Sequence, residues 1–298
     1  MENQKIHETT SDRVFTTINY IILTFVLVLV LYPCIYVASA SISDAKEVMA
    51  GRVFLWPVGF SLEGYKAVFR HSLIMSGFYN AAFYTLTGTV INVFMTMIAA
   101  YPLSRKDFFG RNVIMLLFTV TMFISGGLIP TYLLVRDLGF INTRWAMIIP
   151  GALSVWNVIL TRTFLQANIP DELLEASKID GCSDIVFLIK IVFPLSTPII
   201  AVISLYYAIG HWNQFFSAML YLSDARLYPL QLILRDILIQ NQMPPGMTID
   251  PILKQRIENI RELLKYALIV VATVPVLVVY PFVQKYFVKG VMIGAIKG

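Results

Sequence analysis

Apolar stretches long enough to cross a bilayer alternate with short polar segments along this chain. They cover about 17–40, 78–103, 112–136, 145–168, 186–210 and 263–287. About 20 helical residues at 1.5 Å rise span a hydrocarbon core of about 30 Å, so each stretch predicts a transmembrane helix. The expected fold is all-α: a polytopic membrane protein with an N-terminal segment at 1–16, a six-helix domain at 17–287 and a C-terminal tail at 288–298. Ala38-Ser39-Ala40 imitates a signal-peptide cleavage site, but the apolar run from Ile18 to Val37 exceeds a signal core of about 7–15 residues. The first stretch therefore reads as a retained helix.

Composition agrees with the pattern. Hydrophobic residues make up 57% of the chain and charged residues 14%, with mean hydropathy +0.72, whereas about a quarter of an average soluble domain is charged. The net charge of +5 is spread over short loops, which fits the basic bias of juxtamembrane segments and not a nucleic-acid surface. With the amino terminus inside, 11 of the 23 Lys and Arg fall inside, so the total does not orient the chain. The loop Ser104–Arg111, with Arg105, Lys106 and Arg111, leans toward the inside. Cys34 and Cys182 fall toward opposite membrane faces in the six-span reading, which predicts two free thiols.

The chemistry expected of an enzyme is missing from the sequence. Arg136, Arg162, Lys190 and Lys265 lie near span ends, and no span carries a charge at mid-depth, where proton- or sodium-driven carriers commonly need one. The phosphate-binding pattern G-x-x-x-x-G-K-[ST] is absent, and His7, His71 and His211 are far apart with no flanking ligand pattern. The chain reads as a conduit whose energy comes from elsewhere. A secondary carrier, or a pore subunit not coupled to ATP, is the alternative.

One polar stretch stands between the fourth and fifth spans, Ile169-Pro-Asp-Glu-Leu-Leu-Glu-Ala-Ser-Lys-Ile-Asp-Gly-Cys182. Pro170 suits a first helical position, Asp171 and Glu172 favour the positive end of the helix dipole, and Gly181 supplies a left-handed stop. These signals predict a helix over Asp171–Asp180, too short to persist alone in water. Ser183 is an N-cap for the following span, which Pro194 and Pro198 kink or open.

The spacing Glu175-Ala176, Asp180-Gly181, Pro194, Pro198 closely resembles the EAA loop of ABC importer permeases, with Ser177 and Cys182 in place of the commoner Ala and Phe193 in place of Leu. Phe54-Leu-Trp-Pro57, Phe60-Ser-Leu-Glu-Gly-Tyr65, Ala99-Ala-Tyr-Pro-Leu-Ser-Arg105, Leu138-Gly-Phe-Ile-Asn-Thr143, Trp212-Asn213 and Tyr286-Phe-Val-Lys-Gly290 carry the resemblance over nearly all the chain after residue 15. It is to the maltose-importer-like (type I) ABC permeases for carbohydrates, in their MalG-like half. Ser125-Gly-Gly-Leu-Ile-Pro130 and the ending Val288–Lys297 are similar to a subgroup for complex, pectin-derived oligosaccharides.

The resemblance implies a multi-pass subunit of a prokaryotic plasma membrane. It would pair with a second, MalF-like permease chain and dock on two copies of an ABC ATPase, and an extracytoplasmic solute-binding protein would deliver an oligosaccharide. This chain would hold no cofactor, ATP and magnesium being bound by the ATPase. The implied ATPase-coupling residues are Glu175, Ala176, Ser177, Asp180, Gly181 and Pro194, on a coupling helix at about 171–181.

Sugar sites pair aromatic faces with amides or hydroxyls in a dry cavity. The cluster Tyr206-Tyr207 with His211-Trp212-Asn213-Gln214 is the candidate substrate path; its other reading is an aromatic belt or packing. Asn80, Asn92 and Asn157 suit helix packing better than sugar binding. The outer loop, about 211–262, holds Met243-Pro-Pro-Gly246 and a predicted helix capped by Asp250, with Ile252, Leu253, Ile257, Ile260 and Leu264 on one apolar face. By resemblance it meets the binding protein, and by amphipathicity alone it lies on the interface.

Overall fold

A computed structural model describes residues 9–239 and 251–295; for 239, 251–254, 256, 282–283 and 285–295 it describes the backbone alone. Met243–Gly246 and Asp250 lie outside the described residues. Every regular element among these residues is helical. The α-helices in chain order are α1 (Thr10–Ser41), α2 (Ala45–Met49), α3 (Glu63–Arg70), α4 (Ser72–Ser104), α5 (Arg111–Phe123), α6 (Leu128–Asp137), α7 (Val155–Asn168), α8 (Asp171–Ile179), α9 (Asp184–Phe187), α10 (Phe193–Leu195), α11 (Thr197–Trp212), α12 (Phe215–Tyr221), α13 (Leu230–Ile239) and α14 (Pro251–Ala295), with short 3₁₀ or π turns at Arg144–Met147, Leu188–Val192 and Ala225–Leu227. The described residues form two compact units, 9–70 with 251–271 and 71–239 with 272–295.

In the first unit, α1 opens on a capping box in which Thr9 Oγ1 accepts from the Asp12 amide and Asp12 accepts from the Thr9 amide. The helix starts at Thr10, not 17, because this cap sits ahead of the apolar run. Residues 9–35 are exposed along most of its length, as a helix facing lipid or a partner would be. Its far end is buried: Ala40 packs with Ala45, Val48, Val53 and Leu263, and Tyr36 meets Tyr266 edge-on at 5.9 Å. Gly64 lets α3 approach α14 closely, since a Cβ there would lie 2.8 Å from the Leu263 carbonyl oxygen. The Glu-Gly-Tyr landmark read from sequence is thus a close crossing.

In the second unit, α4 is the central post, packed by α11, α7 and α13. Its buried positions Gly77, Asn80, Ala81, Tyr84, Gly88 and Asn92 recur at helical spacing, and several are small, the pattern that lets helices approach closely in a membrane.

The predicted spans hold with corrections. Three helices among the described residues are long and apolar enough to cross a membrane, and five spans result if each of two bent pairs counts as one. The third span breaks between α5 and α6 with a 112° bend, where Ser125-Gly126-Gly127 interrupts the apolar run. In the fourth, only Val155–Asn168 is α-helical, 14 residues or about 21 Å, preceded by a 3₁₀ turn at Arg144–Met147. Pro150 and Gly151 stand between them and stop one helix from running through. The fifth bends by 81° between Leu195 and Thr197. The outer-loop helix and the sixth span are one helix, α14, of 45 residues, because no breaker separates Pro251 from Tyr280 except Pro275 inside an apolar run. It continues to Ala295, so most of the expected tail is helical. Both thiols are free.

Candidate functional site

The polar stretch forms α8, with Pro170 as its N-cap rather than its first helical residue, a place that Asp171 takes. Its end is a Schellman motif: the Cys182 amide donates to the Ser177 carbonyl at 2.9 Å and the Gly181 amide to that of Lys178 at 3.1 Å. Gly181 has φ +74°, the left-handed conformation that favours glycine. Ser183 then caps α9, its Oγ accepting from the Val186 amide.

A nine-residue helix does not hold itself, and this one is fastened on both flanks. Leu174 is buried in a cluster with Met97, Leu103, Leu165 and Phe187, while Ser177 turns inward and its hydroxyl donates to the Leu174 carbonyl. Arg105 Nη2 lies 3.2 Å and Lys106 Nζ 2.9 Å from the two Asp171 oxygens. Lys178 pairs with Asp107 at 3.4 Å. Lys106 holds the Asp171 carboxyl below its ordinary range, first through its hydrogen bond and then, with Arg105 and Arg111, through charge. The loop after α4 is itself tied down, Arg111 donating to the Arg105 carbonyl and Arg162 to that of Leu103. A cavity of about 300 Å³ lies between that loop and the start of α8, lined by Ser104, Arg105, Lys106, Gln166 and Glu172 among others.

The opposite face of α8 is bare. Glu172, Glu175, Ala176 and Asp180 are exposed, and Ile179 is 87% exposed. In the segment that follows, Ile185 and Ile189 are exposed as well. The outward face of α8 is thus a small apolar patch rimmed by carboxylates.

Pro194 lies outside this face, at a break. A π turn at Leu188–Val192 precedes α10, and the chain bends at Ser196. Pro194 has no amide to give the preceding turn, and Pro198 leaves the Pro194 carbonyl without its helical donor. The Thr197 hydroxyl takes that carbonyl at 2.7 Å.

The substrate-path candidates separate. Tyr207 is buried, its hydroxyl bonded to Thr96 Oγ1 at 2.7 Å and accepting from the Ser154 amide at 3.0 Å. His211 Nε2 lies 2.8 Å from Asn92 Oδ1, and Asn92 donates to the Gly151 carbonyl. Trp212 Nε1 donates to the Ala272 carbonyl at 3.1 Å, and its ring meets Phe78 edge-on at 5.7 Å. The crevice of about 220 Å³ beside Trp212 is lined by Leu86, Leu205, Ile209 and Val276, with little to satisfy a sugar hydroxyl. Asn213 is exposed at the end of α11, its amide donating to Ile209, and Gln214 is half-buried with no partner for its Nε2 among the described residues. Asn80 donates to the carbonyls of Arg226 and Tyr228, so Asn80 and Asn92 both serve packing.

Sequence reasoning missed the clasp on α8. Arg105 and Lys106 entered as an orientation signal beside Arg111, Arg105 also as the end of a family landmark, and Asp107 not at all, although three charges in a short loop facing Asp171 and Lys178 at a helix's two ends were the available clue.

The family described as binding-protein-dependent transport system inner membrane component matches residues 92–293. A polygalacturonan/rhamnogalacturonan transport system permease of Bacillus subtilis (strain 168) is 42% identical over 293 residues, covering 96% of this chain and 99% of its own. Protein LplC of the same organism is 38% identical over 309 residues, covering 100% and 99%. A chain from the crystal structure of a bacterial ABC transporter involved in import of the acidic polysaccharide alginate superposes with TM-score 0.86 at 34% identity, over 95% of this chain and 100% of that one.

Proposed function

We propose that this chain, which belongs to the family of binding-protein-dependent transport system inner membrane components, is the permease subunit of an ATP-driven oligosaccharide importer. It contributes half of the translocation pathway in the plasma membrane. The cargo class is acidic, pectin-like oligosaccharide, supported by the 42% identity to a polygalacturonan/rhamnogalacturonan permease over almost the whole chain. The second permease, a pair of ATPases and an extracytoplasmic binding protein complete the machine, and ATP and magnesium are held by the ATPase.

The observation that carries the coupling role is the two-faced character of α8. One face is locked to the α4 loop and the buried cluster, and the other presents Glu172, Glu175, Ala176 and Ile179 outward. A rigidly mounted helix with a free carboxylate rim transmits movement of a docked partner into the helices it is clasped to. Glu175 meets a basic residue of the ATPase in this reading, and Asp180 and Gly181 set the end of the docking face.

The test is purification of the assembled importer with Glu175→Ala. The expected result is normal insertion with reduced ATPase recovery or loss of cargo-stimulated hydrolysis. Normal complex yield with unchanged stimulated hydrolysis would refute the coupling role of Glu175.

A further inference from the structure

Opposite the coupling helix, at the other end of α7, the chain builds a rigid mount for one arginine. The segment after α6 turns through Gly139 and Asn142, both at positive φ. Asn142 Oδ1 accepts from the amides of Ser223 and Asp224 at 3.1 and 2.9 Å, and its own backbone amide donates to the Tyr221 carbonyl at 2.8 Å. Two residues on, Arg144 lays its guanidinium 4.7 Å over the Phe83 ring and donates through Nη2 to Asn80 Oδ1 at 3.3 Å. The Asn80 amide nitrogen is committed to two backbone carbonyls, so its oxygen is the atom left for Arg144. The side chain is thus held on one face and one edge.

Nothing among the described residues neutralises it. At this end of the second unit, Arg136 pairs with Asp137, Arg226 with Asp224 and Arg235 with Asp236. No carboxylate lies within ion-pair reach of Arg144 among the described residues, and the residue is exposed. A guanidinium has five N–H donors in a planar fork, and one is used here. The remaining edge matches a carboxylate in two-point geometry. Tyr79 and Phe83, one turn apart on the exposed side of α4, add ring surface of the kind sugar C–H faces pack on.

We propose that Arg144 reads the carboxylates of an acidic sugar at the outer mouth of the pathway, with Asn80 as its positioning residue. The inference rests on the cargo reading above and deepens it: the permease itself, and not the binding protein alone, selects for charge.

The experiment is uptake by the complete importer in proteoliposomes, with oligogalacturonate and its neutral methyl ester as the two cargoes, for wild type, Arg144→Gln and Arg144→Lys. Losing a charged hydrogen bond predicts that Arg144→Gln lowers uptake of the acid by about tenfold and leaves the ester unchanged, with Arg144→Lys between. Equal loss for both cargoes overturns the proposal, since it places Arg144 in folding or at a lipid phosphate. No loss for the acid overturns it as well. Wild type that carries neither cargo refutes the cargo reading itself, an outcome distinct from either.

Discussion

Arg105 and Asp171 stand 3.2 Å apart, joining the end of α4 to the first turn of α8. Arg105 is nearly buried and Asp171 about one-third exposed. The ion pair therefore ties α8 to the central post of the second unit, in parallel with the apolar contact at Leu174.

Asp171→Asn removes the acceptor charge that Arg105 and Lys106 share. Cargo-stimulated ATPase activity is expected to fall while basal hydrolysis persists. The pH sign follows from a carboxyl held below its ordinary value of 3.8. A depressed folded-state pKa gives stabilisation that is whole above the unfolded value and fades only as pH falls through the folded one. Coupling should then show no loss attributable to Asp171 between neutrality and the ordinary carboxylate range. A midpoint near neutrality that disappears in Asp171→Asn would contradict this assignment.

Gly181→Val puts a β-branched residue at φ +74° in a place where a Cβ meets none of the described residues within 4 Å. The cost is purely conformational, about 1–2 kcal/mol. Gly181→Asn should be milder, because asparagine tolerates the left-handed region. Thermal stability of the complex and its transport rate per complex should both rank glycine, asparagine, valine.

Trp212→Ala removes a ring buried against Phe78 together with its bond to Ala272, a loss of about 3–5 kcal/mol. Complex yield is expected to drop while uptake per folded complex is kept. Trp212→Phe should recover most of the yield, since it forfeits about 1 kcal/mol of hydrogen bond and some ring area. Wild-type yield with reduced specific uptake for Trp212→Ala would restore a sugar-path role.

Gly88→Ala drives a methyl group into the His211 imidazole and should separate His211 from Asn92, at about 1–3 kcal/mol for overpacking. The smaller partner variant His211→Ala should relieve it. A double variant more stable than Gly88→Ala alone is the expected sign of that contact.

The apolar periodicity made the helical class and the existence of the spans legible, and local capping chemistry made α8 and its ends legible: Gly181 and Ser183 act where the sequence places them. What the sequence hid is non-local. Hydropathy reads 112–136 and 186–210 as continuous even where Ser125-Gly126-Gly127 or Ser196 lets the chain turn, because both sides stay apolar. It is equally blind to partners far along the chain, so Tyr207 and His211 looked available until Thr96 and Ser154 were seen to engage the Tyr207 hydroxyl and Asn92 the His211 Nε2. The clasp of Arg105 on Asp171, far along the chain, is of the same kind.

The turn between α5 and α6 sets a boundary on what can surround this chain. Ser125, Gly126 and Gly127 belong to neither helix, and hydrocarbon offers no hydrogen bonds to amides and carbonyls set free at such a break. Acyl chains are thus barred from touching this stretch. Water, whether at the bilayer surface or in a passage, or protein from a neighbouring subunit must cover it, and so three small residues mark a place where the oily surface of this chain stops.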